Sequence, residues 1–229
     1  MENLIVSSGI VKHCFIEDCH RIGQLIYWHK HGADCIQVRQ HKQYRWLLIN
    51  DILQSVVEKS HPSHLLFPHL HYLSQLWQPL KPPRTVLELG LGAGAIRNYI
   101  QYTYPDSQLI SVEKNPNIIH CYKRLFAGAH ANNLQCCDAQ TVLEQDNKYD
   151  WIILDLFSQL DAPVFLYKHL FYEKIRDALN TDGYLFINFL SAHQSQLKQL
   201  EHLLITTFGK RPNIEKIPNY TNHIVMINR

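Results

Sequence analysis

The 229-residue sequence lacks several features that would assign it to a class at once. No apolar run reaches the roughly 18 residues of a membrane span, and no basic N-terminal segment leads into a long apolar stretch. The six cysteines form neither a CxxC pair nor a disulfide framework, so we expect reduced thiols. Lysine and arginine are scattered, and the net charge is only +2. We therefore expect a soluble, cytoplasmic protein with a small-molecule partner, and neither a nucleic acid nor a membrane.

The chain divides into three parts by its pattern. Residues 1–60 hold short runs rich in β-branched and aromatic residues, which predict a small N-terminal β domain of two or three antiparallel strands. Residues 61–83 predict a connecting helix that starts near Pro62, followed by a KPP linker. In residues 84–229, apolar strands alternate with amphipathic helices. This alternation predicts an α/β fold with a doubly wound, mostly parallel, seven-stranded sheet.

The segment VLELGLGAGA, residues 86–95, is the most informative motif. An apolar strand that carries Glu88 runs into three alternating glycines, Gly90, Gly92 and Gly94, and then into a helical pattern. Glycines at such a turn let the backbone adopt positive φ and approach a ligand closely, and the helix that follows presents free N–H groups. We interpret the segment as a nucleotide-binding loop.

Acidic residues lie at the ends of four successive predicted strands: Glu88, Glu113, Asp138 and Asp155. Ligands of doubly wound sheets bind beyond the carboxyl ends of the strands, so these side chains are candidates for a binding site. Glu113 lies where the first βαβ unit places an acceptor for two ribose hydroxyls. Asp138, with Ala139 beside it, could accept a hydrogen bond from the exocyclic amine of a purine. Together they predict an adenosine site.

Other nucleotide ligands fit less well. The pattern GxGxxA ending at Ala95 also occurs in dinucleotide-binding proteins, but Glu88 would place a negative charge near the pyrophosphate. A P-loop is excluded, because no GK[ST] follows the glycines. A cationic sulfonium and an ammonium group would instead be attracted to Glu88. S-adenosylmethionine carries both groups.

These residues resemble the spermidine synthase-like family within the class I S-adenosylmethionine-dependent transferases. The resemblance covers residues 44 to 190 and is carried by GLGAGA, ISVEKNP, CDA and YDWIILDLFSQ, and by NDILQ and PSHLLFPH before them. It implies a Rossmann-like class I methyltransferase fold. It also implies that Gln54, Glu113 and Asp138 hold the nucleotide, and that Asp155 deprotonates the acceptor amine. The positions of His64 and Ser158 are those expected to contact the substrate.

The sequence departs from the family at several of these positions. Family aminopropyltransferases have an aspartate in the glycine loop, where this chain has Ala93, and a second acid where it has Ser158. Ser63 and Leu65 replace a tyrosine and a glutamate on either side of His64. Conversely, Glu88 stands where aminopropyltransferases have an apolar residue and S-adenosylmethionine methyltransferases have an acid. These departures favour intact S-adenosylmethionine as the donor.

Three functions follow as alternatives. The first is methyl transfer from S-adenosylmethionine to a small amine or hydroxyl, with Asp155 as the base. The second is aminopropyl transfer to a polyamine from decarboxylated S-adenosylmethionine. The third is a non-catalytic nucleotide-binding or assembly protein. Because the N-terminal strands are too short to be stable alone, we also expect a homodimer.

Histidine is unusually frequent, with 15 residues, four of them at positions 61, 64, 69 and 71. Such a density suggests a zinc site. The four positions do not repeat a ligand pair at i and i+4 with a nearby carboxylate. We therefore interpret them as hydrogen-bonding residues at a helix or domain junction, and expect no metal.

Overall fold

The computed structural model describes residues 10–127, 131–156, 163–191 and 193–229 of the chain. In this described part, none of the helices combines the length and the hydrophobicity that a membrane span requires. The chain forms two β-sheets, a smaller one of four strands and a larger one of seven.

The smaller sheet is an antiparallel meander in the order β1-β2-β3-β4. The turn between its last two strands consists of Asn50 and Asp51, both with positive φ (51° and 63°), which is the geometry of a two-residue hairpin turn. This tight turn adds a fourth strand, β4, where the sequence predicted two or three. The strands are β1 Gln24–His31, β2 Asp34–His41, β3 Tyr44–Ile49 and β4 Ile52–Glu58.

The larger sheet has the order β10-β11-β9-β8-β5-β6-β7. Its strands pair in parallel except for β11, which is antiparallel to both β9 and β10. The predicted doubly wound, mostly parallel, seven-stranded sheet is therefore confirmed, although the sequence did not locate β10. The strands are β5 Thr85–Leu89, β6 Gln108–Val112, β7 Leu134–Gln135, β8 Tyr149–Leu154, β9 Leu179–Leu190, β10 Asn213–Lys216 and β11 Asn222–Asn228.

The connecting helix begins later than its sequence predicts. It starts at Pro68, which occupies the first turn, where its missing N–H costs nothing, and not near Pro62. A π-helical turn at Tyr122–Phe126 and a 3₁₀ turn at Val164–Tyr167 extend two of the other connections. The α-helices are α1 His13–Asp18, α2 Pro68–Trp77, α3 Ala95–Thr103, α4 Pro116–Cys121, α5 Ala139–Val142, α6 His169–Ala178 and α7 Gln194–Phe208.

The two faces of the larger sheet bury different partners. Successive residues of β5 alternate between them: Val86 packs into the core that also contains Trp46 of the smaller sheet, and Leu87 packs with Tyr172 of α6 on the opposite face. The smaller sheet therefore shares one apolar core with one face of the larger sheet. This arrangement brings β3 and β4 close to the carboxyl edge of the larger sheet.

Trp77, the last residue of α2, is fully buried against the larger sheet. Its ring centroid lies 5.9 Å from those of both Trp151 and Phe186. Its indole N–H has no hydrogen-bond partner among the described residues. The contribution of Trp77 to stability therefore comes from packing.

We expect Trp77→Ala to lower the free energy of unfolding by about 3–5 kcal/mol, because it leaves a large cavity. Trp77→Phe should cost clearly less, since it keeps an aromatic ring and removes the unpaired N–H. Urea denaturation of both variants, followed by circular dichroism, measures the difference. An equal cost for the two variants would contradict this account.

Candidate functional site

A cavity of about 250 Å³ lies at the carboxyl edge of the larger sheet. It is enclosed by the loops that follow β5, β6 and β8, by β3 and β4 of the smaller sheet, and by the start of α2. At this edge β5 has β6 on one side and β8 on the other, so the connections diverge to opposite faces. Eight of the site residues predicted from the sequence line it: Gln54, Glu88, Gly90, Gly92, Glu113, Asp138, Ala139 and Asp155.

The three glycines of the loop have different roles. Gly90 has φ of 100°, and a side chain there would collide with the backbone carbonyl of Asp155. Gly92 has φ of 52° and faces Ser55 of β4 across the cavity. Gly94 has φ of 75°, caps α3 and packs against the ring of Tyr122, so it is not among the described residues that line the cavity. Two glycines therefore form the cavity wall and the third shapes the helix start.

Glu113 is held by backbone N–H groups directly after β6. The amide of Asn115 donates to its Oε1 at 2.9 Å, and the amide of Leu91 lies 3.4 Å from Oε2. Burial raises the pKa of this carboxyl, and the two amides partly oppose the rise. Because Leu91 belongs to the glycine loop, these contacts connect Glu113, at the end of β6, to that loop.

Asp138 caps the short helix α5. Its Oδ1 accepts a hydrogen bond from the amide of Gln140 at 2.8 Å, as an N-cap residue does. Its other carboxylate oxygen makes no hydrogen bond with the described residues. Ala139 next to it is buried. Asp138 therefore both caps α5 and lines the cavity as a hydrogen-bond acceptor.

Asp155 ends β8 at the centre of the cavity wall. Asn188 of β9 donates to its Oδ1 at 2.7 Å, and Asn222 of β11 donates to Oδ1 of Asn188 at 2.8 Å. Burial raises the pKa of Asp155, and the hydrogen bond from Asn188 lowers it. The chain of amides fixes the carboxylate and leaves Oδ2 without a partner among the described residues.

Glu88 is buried within β5, with 1% of its surface exposed. Its Oε2 accepts a hydrogen bond from Ser111 of β6, whose hydroxyl also accepts one from the fully buried Arg97 at 2.8 Å. Burial raises the pKa of Glu88 from 4.5 to about 8, while Ser111 and Arg97 lower it. Glu88 is therefore protonated at pH 7 and bound within the protein, which weakens its predicted attraction for a cationic donor.

The cavity is predominantly acidic even with Glu88 neutral. His69 lines it as a neutral imidazole, because burial lowers its pKa to about 3. Lys114 is the only basic residue among the described residues of the lining. Four further acids face it: Asp34, Glu113, Asp138 and Asp155. Such a lining favours a positively charged ligand.

The remaining predicted residues lie in different places. Gln54 of β4 reaches the cavity, and its Nε2 donates to the carbonyl of Ile52 at 3.1 Å. His64 is exposed and contacts Glu58, and it is not among the described residues that line the cavity. Ser158 lies outside the described residues. The predicted contact of His64 with the substrate therefore has no support from its position.

The chain matches polyamine aminopropyltransferases from several organisms. It is 25% identical to that of Neisseria meningitidis over 166 residues, which are 70% of this chain and 63% of that protein. It is 32% identical to that of Saccharolobus solfataricus over 148 residues, 60% of this chain and 48% of that protein. The chain thus spans less than two thirds of the length of these curated relatives. No family model matches it.

Solved structures share the fold. The "probable spermidine synthase" of Corynebacterium glutamicum aligns with a TM-score of 0.76 at 18% identity, over 90% of this chain and 80% of that one. The fold of this chain is therefore similar to that of a spermidine synthase. A spermidine synthase in complex with the transition-state analogue AdoDATO aligns with a TM-score of 0.68 at 16% identity, over 90% of this chain and 73% of that one. Human methyltransferase-like protein 13 in complex with SAH aligns with a TM-score of 0.60 at 19% identity, over 69% of this chain and 80% of that one.

Sequence reasoning missed several residues of this cavity. Asn188 was missed because it lies inside a run that was interpreted only as an apolar strand. A single polar side chain in such a run is a signal that could have identified it. Ser55 was missed because β4 was not predicted, although a small residue facing the glycine loop is what a close approach needs. His69 was interpreted as a hydrogen-bonding residue at a junction, and not as part of a binding cavity.

We expect the burial of Glu88 to make stability depend on pH. Between its ordinary pKa of 4.5 and its folded value of about 8, the folded chain holds a proton that the unfolded chain has released. The free energy of unfolding therefore falls as pH rises through this range, by at most about 1.4 kcal/mol per pH unit, and levels off above it. Urea denaturation across the range should show Glu88→Gln gaining stability relative to the unsubstituted chain.

The exposed Glu144, which pairs with Lys174 at 3.0 Å, provides the matched control. Glu144→Gln should give a curve parallel to that of the unsubstituted chain. If the Glu88→Gln curve is also parallel, Glu88 is ionised in the folded chain and the assignment of its proton is wrong.

Proposed function

We propose that this chain is a transferase that moves an aminopropyl group from decarboxylated S-adenosylmethionine to a small amine. One observation carries the proposal: the glycine loop, Glu113 and Asp155 line a single acidic cavity. It is supported by the similarity to polyamine aminopropyltransferases. Cytoplasmic location and a homodimer stay predictions from the sequence.

The residues present suit an adenosyl-type donor. Gly90 and Gly92 line the cavity with backbone, at positions where a side chain would meet Asp155 or Ser55. Glu113 offers carboxylate oxygens for ribose hydroxyls, and the second oxygen of Asp138 is left to accept from the adenine amine. Similar folds are known in complex with SAH and with AdoDATO, which supports a donor of this type.

The charge of the cavity favours the decarboxylated donor. Intact S-adenosylmethionine carries a carboxylate, for which the acid-rich lining offers a single basic partner among its described residues, Lys114. The decarboxylated donor keeps the sulfonium and ammonium charges and lacks this group. An acceptor amine in its ammonium form is attracted for the same reason.

Asp155 is placed to act as the base. An aliphatic amine is protonated at pH 7, with a pKa of about 10 as in lysine, and must lose a proton before it can attack carbon. Its proton passes to Asp155, whose raised pKa makes it a better acceptor than an exposed carboxylate. The amine nitrogen then bonds to the aminopropyl carbon, the carbon–sulfur bond breaks, and its electron pair stays on sulfur as a neutral thioether.

Methyl transfer from intact S-adenosylmethionine is the second candidate, and one observation favours it. Ala93 stands where family aminopropyltransferases have a donor-binding aspartate, and its side chain is fully buried in the core. The cavity thus has no acid from this position. The other sequence argument for methyl transfer is weakened, because Glu88 is protonated and bonded to Ser111.

We expect calorimetric titration to give at least about tenfold tighter binding of the decarboxylated donor than of intact S-adenosylmethionine, equivalent to about 1.4 kcal/mol. Mass spectrometry of reactions with putrescine and related amines should then detect the aminopropylated amine. Preference for the intact donor with a methylated product would establish the second candidate. Binding without any product across the amines would leave the non-catalytic alternative.

For Asp155→Asn we expect the turnover to fall by about 10²- to 10⁴-fold, the usual contribution of a general base. Binding of the donor should change little, because asparagine keeps the shape of the side chain beside Asn188. Steady-state rates and titration of the same samples separate the two effects. Asp146→Asn, at an exposed position, should behave as the unsubstituted chain. Unchanged turnover in Asp155→Asn would remove Asp155 from the role of base.

A further inference from the structure

We propose that Glu58, His61 and His64 form a binding site for one divalent transition-metal ion, with Zn²⁺ as the best fit. Glu58 is the last residue of β4, and the two histidines lie in the segment between β4 and α2. None of the three is among the described residues that line the cavity, so this site is separate from the proposed transferase site. We call these residues the β4 cluster.

The donor atoms of the β4 cluster are already close together. One ligand atom from each residue lies within 4.8 Å of the other two. Nδ1 of His64 is 2.9 Å from Oε2 of Glu58, and Nδ1 of His61 is 3.5 Å from Oε1. In tetrahedral coordination with bonds of about 2.1 Å, donor atoms lie about 3.4 Å apart. Side-chain rotations that separate the stacked rings of His61 and His64 would bring the three atoms to that spacing.

The imidazole rings are arranged in parallel. The ring centroids of His61 and His64 are 4.8 Å apart, and their planes differ by only 8°. Both rings contact the carboxylate of Glu58 through Nδ1, so the stacked pair presents these two nitrogens to one group. Histidine binds a metal ion through an unprotonated ring nitrogen, so a bound ion would replace the contacts of these nitrogens with Glu58.

Exposure fits a site that admits an ion and a water ligand. The side chain of Glu58 is only 16% exposed, so the carboxylate is a fixed anchor. The side chains of His61 and His64 are 60% and 57% exposed, which leaves room for a fourth ligand from solvent. Two histidines, one glutamate and one water form a donor set that Zn²⁺ accepts.

The sequence argued against a metal here because it found no carboxylate near the histidines. Glu58 lies outside the histidine-rich stretch, and it was counted with the β domain. The chain bends after β4, so that the amide of His61 bonds the carbonyl of Glu58 at 3.2 Å and that of His64 bonds the carbonyl of His61 at 3.0 Å. These two turns bring the rings of both histidines back to the carboxylate.

A bound ion would cross-link the end of β4 to the segment that leads into α2. Phe67 and His69, which line the cavity, follow closely after His64. Metal binding would therefore restrain one wall of the cavity, without contributing an atom to it.

The test uses the untagged chain, stripped with a chelator and titrated with Zn²⁺ by calorimetry and with Co²⁺ by absorption spectroscopy. We expect one ion per chain and the intense Co²⁺ bands of four-coordinate geometry. His61→Gln, His64→Gln and Glu58→Gln should each weaken binding by more than the 10- to about 100-fold that loss of an outer-shell partner costs. Thermal unfolding should shift upward with Zn²⁺ in the unsubstituted chain and not in these three variants.

His169→Gln is the matched control, since Nδ1 of His169 also lies near a glutamate oxygen, 3.4 Å from Glu173, but no third ligand joins them among the described residues. It should bind metal as the unsubstituted chain does. Circular dichroism confirms that each variant is folded, and exposed histidines are suited to substitution. If the double variant His61→Gln and His64→Gln binds as tightly as the His169→Gln control, or if neither binds, the β4 cluster is only a hydrogen-bonded group and the proposal is wrong.

Discussion

The contact between the ends of β5 and β8 is the constraint on which the rest of the structure depends. Gly90 passes so close to the backbone carbonyl of Asp155 that no side chain fits between them. The amide of Asp155 bonds the carbonyl of Leu89 at 2.9 Å, and the amide of Gly90 bonds that of Val112 at 2.9 Å. Three strand ends are thereby held together where their connections separate to opposite faces. The cavity exists because the chain diverges at this point.

Burial of the carboxyl groups around this contact disfavours their charged forms, and the structure compensates for this in a different way at each residue. Glu88 retains its proton and bonds Ser111. Asp155 is held by Asn188, which is itself held by Asn222, so a line of amides runs across three strands. Glu113 uses backbone amides instead. The three acids have similar chemistry but different environments, and this difference separates an acid that is internal to the fold from acids that are available to a ligand.

The smaller sheet completes the cavity and does not lie apart from it. Trp46 of that sheet shares a core with Ala93 of the glycine loop, so the sheet is held against the larger one by apolar packing. This packing presents Gln54 and Ser55 to the loop that follows β5. It also places the β4 cluster at the point where the chain leaves the smaller sheet. Restraint of that point by an ion would act on the cavity through the backbone alone.

Local patterns in the sequence determined much of the fold. Apolar strands that alternate with amphipathic helices specify the doubly wound sheet. The glycine loop and the strand-end acids specify the edge at which the cavity lies, because both signals depend only on neighbouring residues. Only the tertiary structure decided what each acid does. In the sequence, Glu88 and Asp155 are both acids at the end of an apolar strand. The pKa of Glu88 depends on Ser111 and Arg97, and that of Asp155 depends on Asn188. These partners come from other elements, so the sequence does not show which carboxyl group can contact a ligand. The position of His64 beside Glu58, away from the cavity, was likewise decided by a bend that has no local signature, since long-range packing selects among the turns that a short polar segment can form.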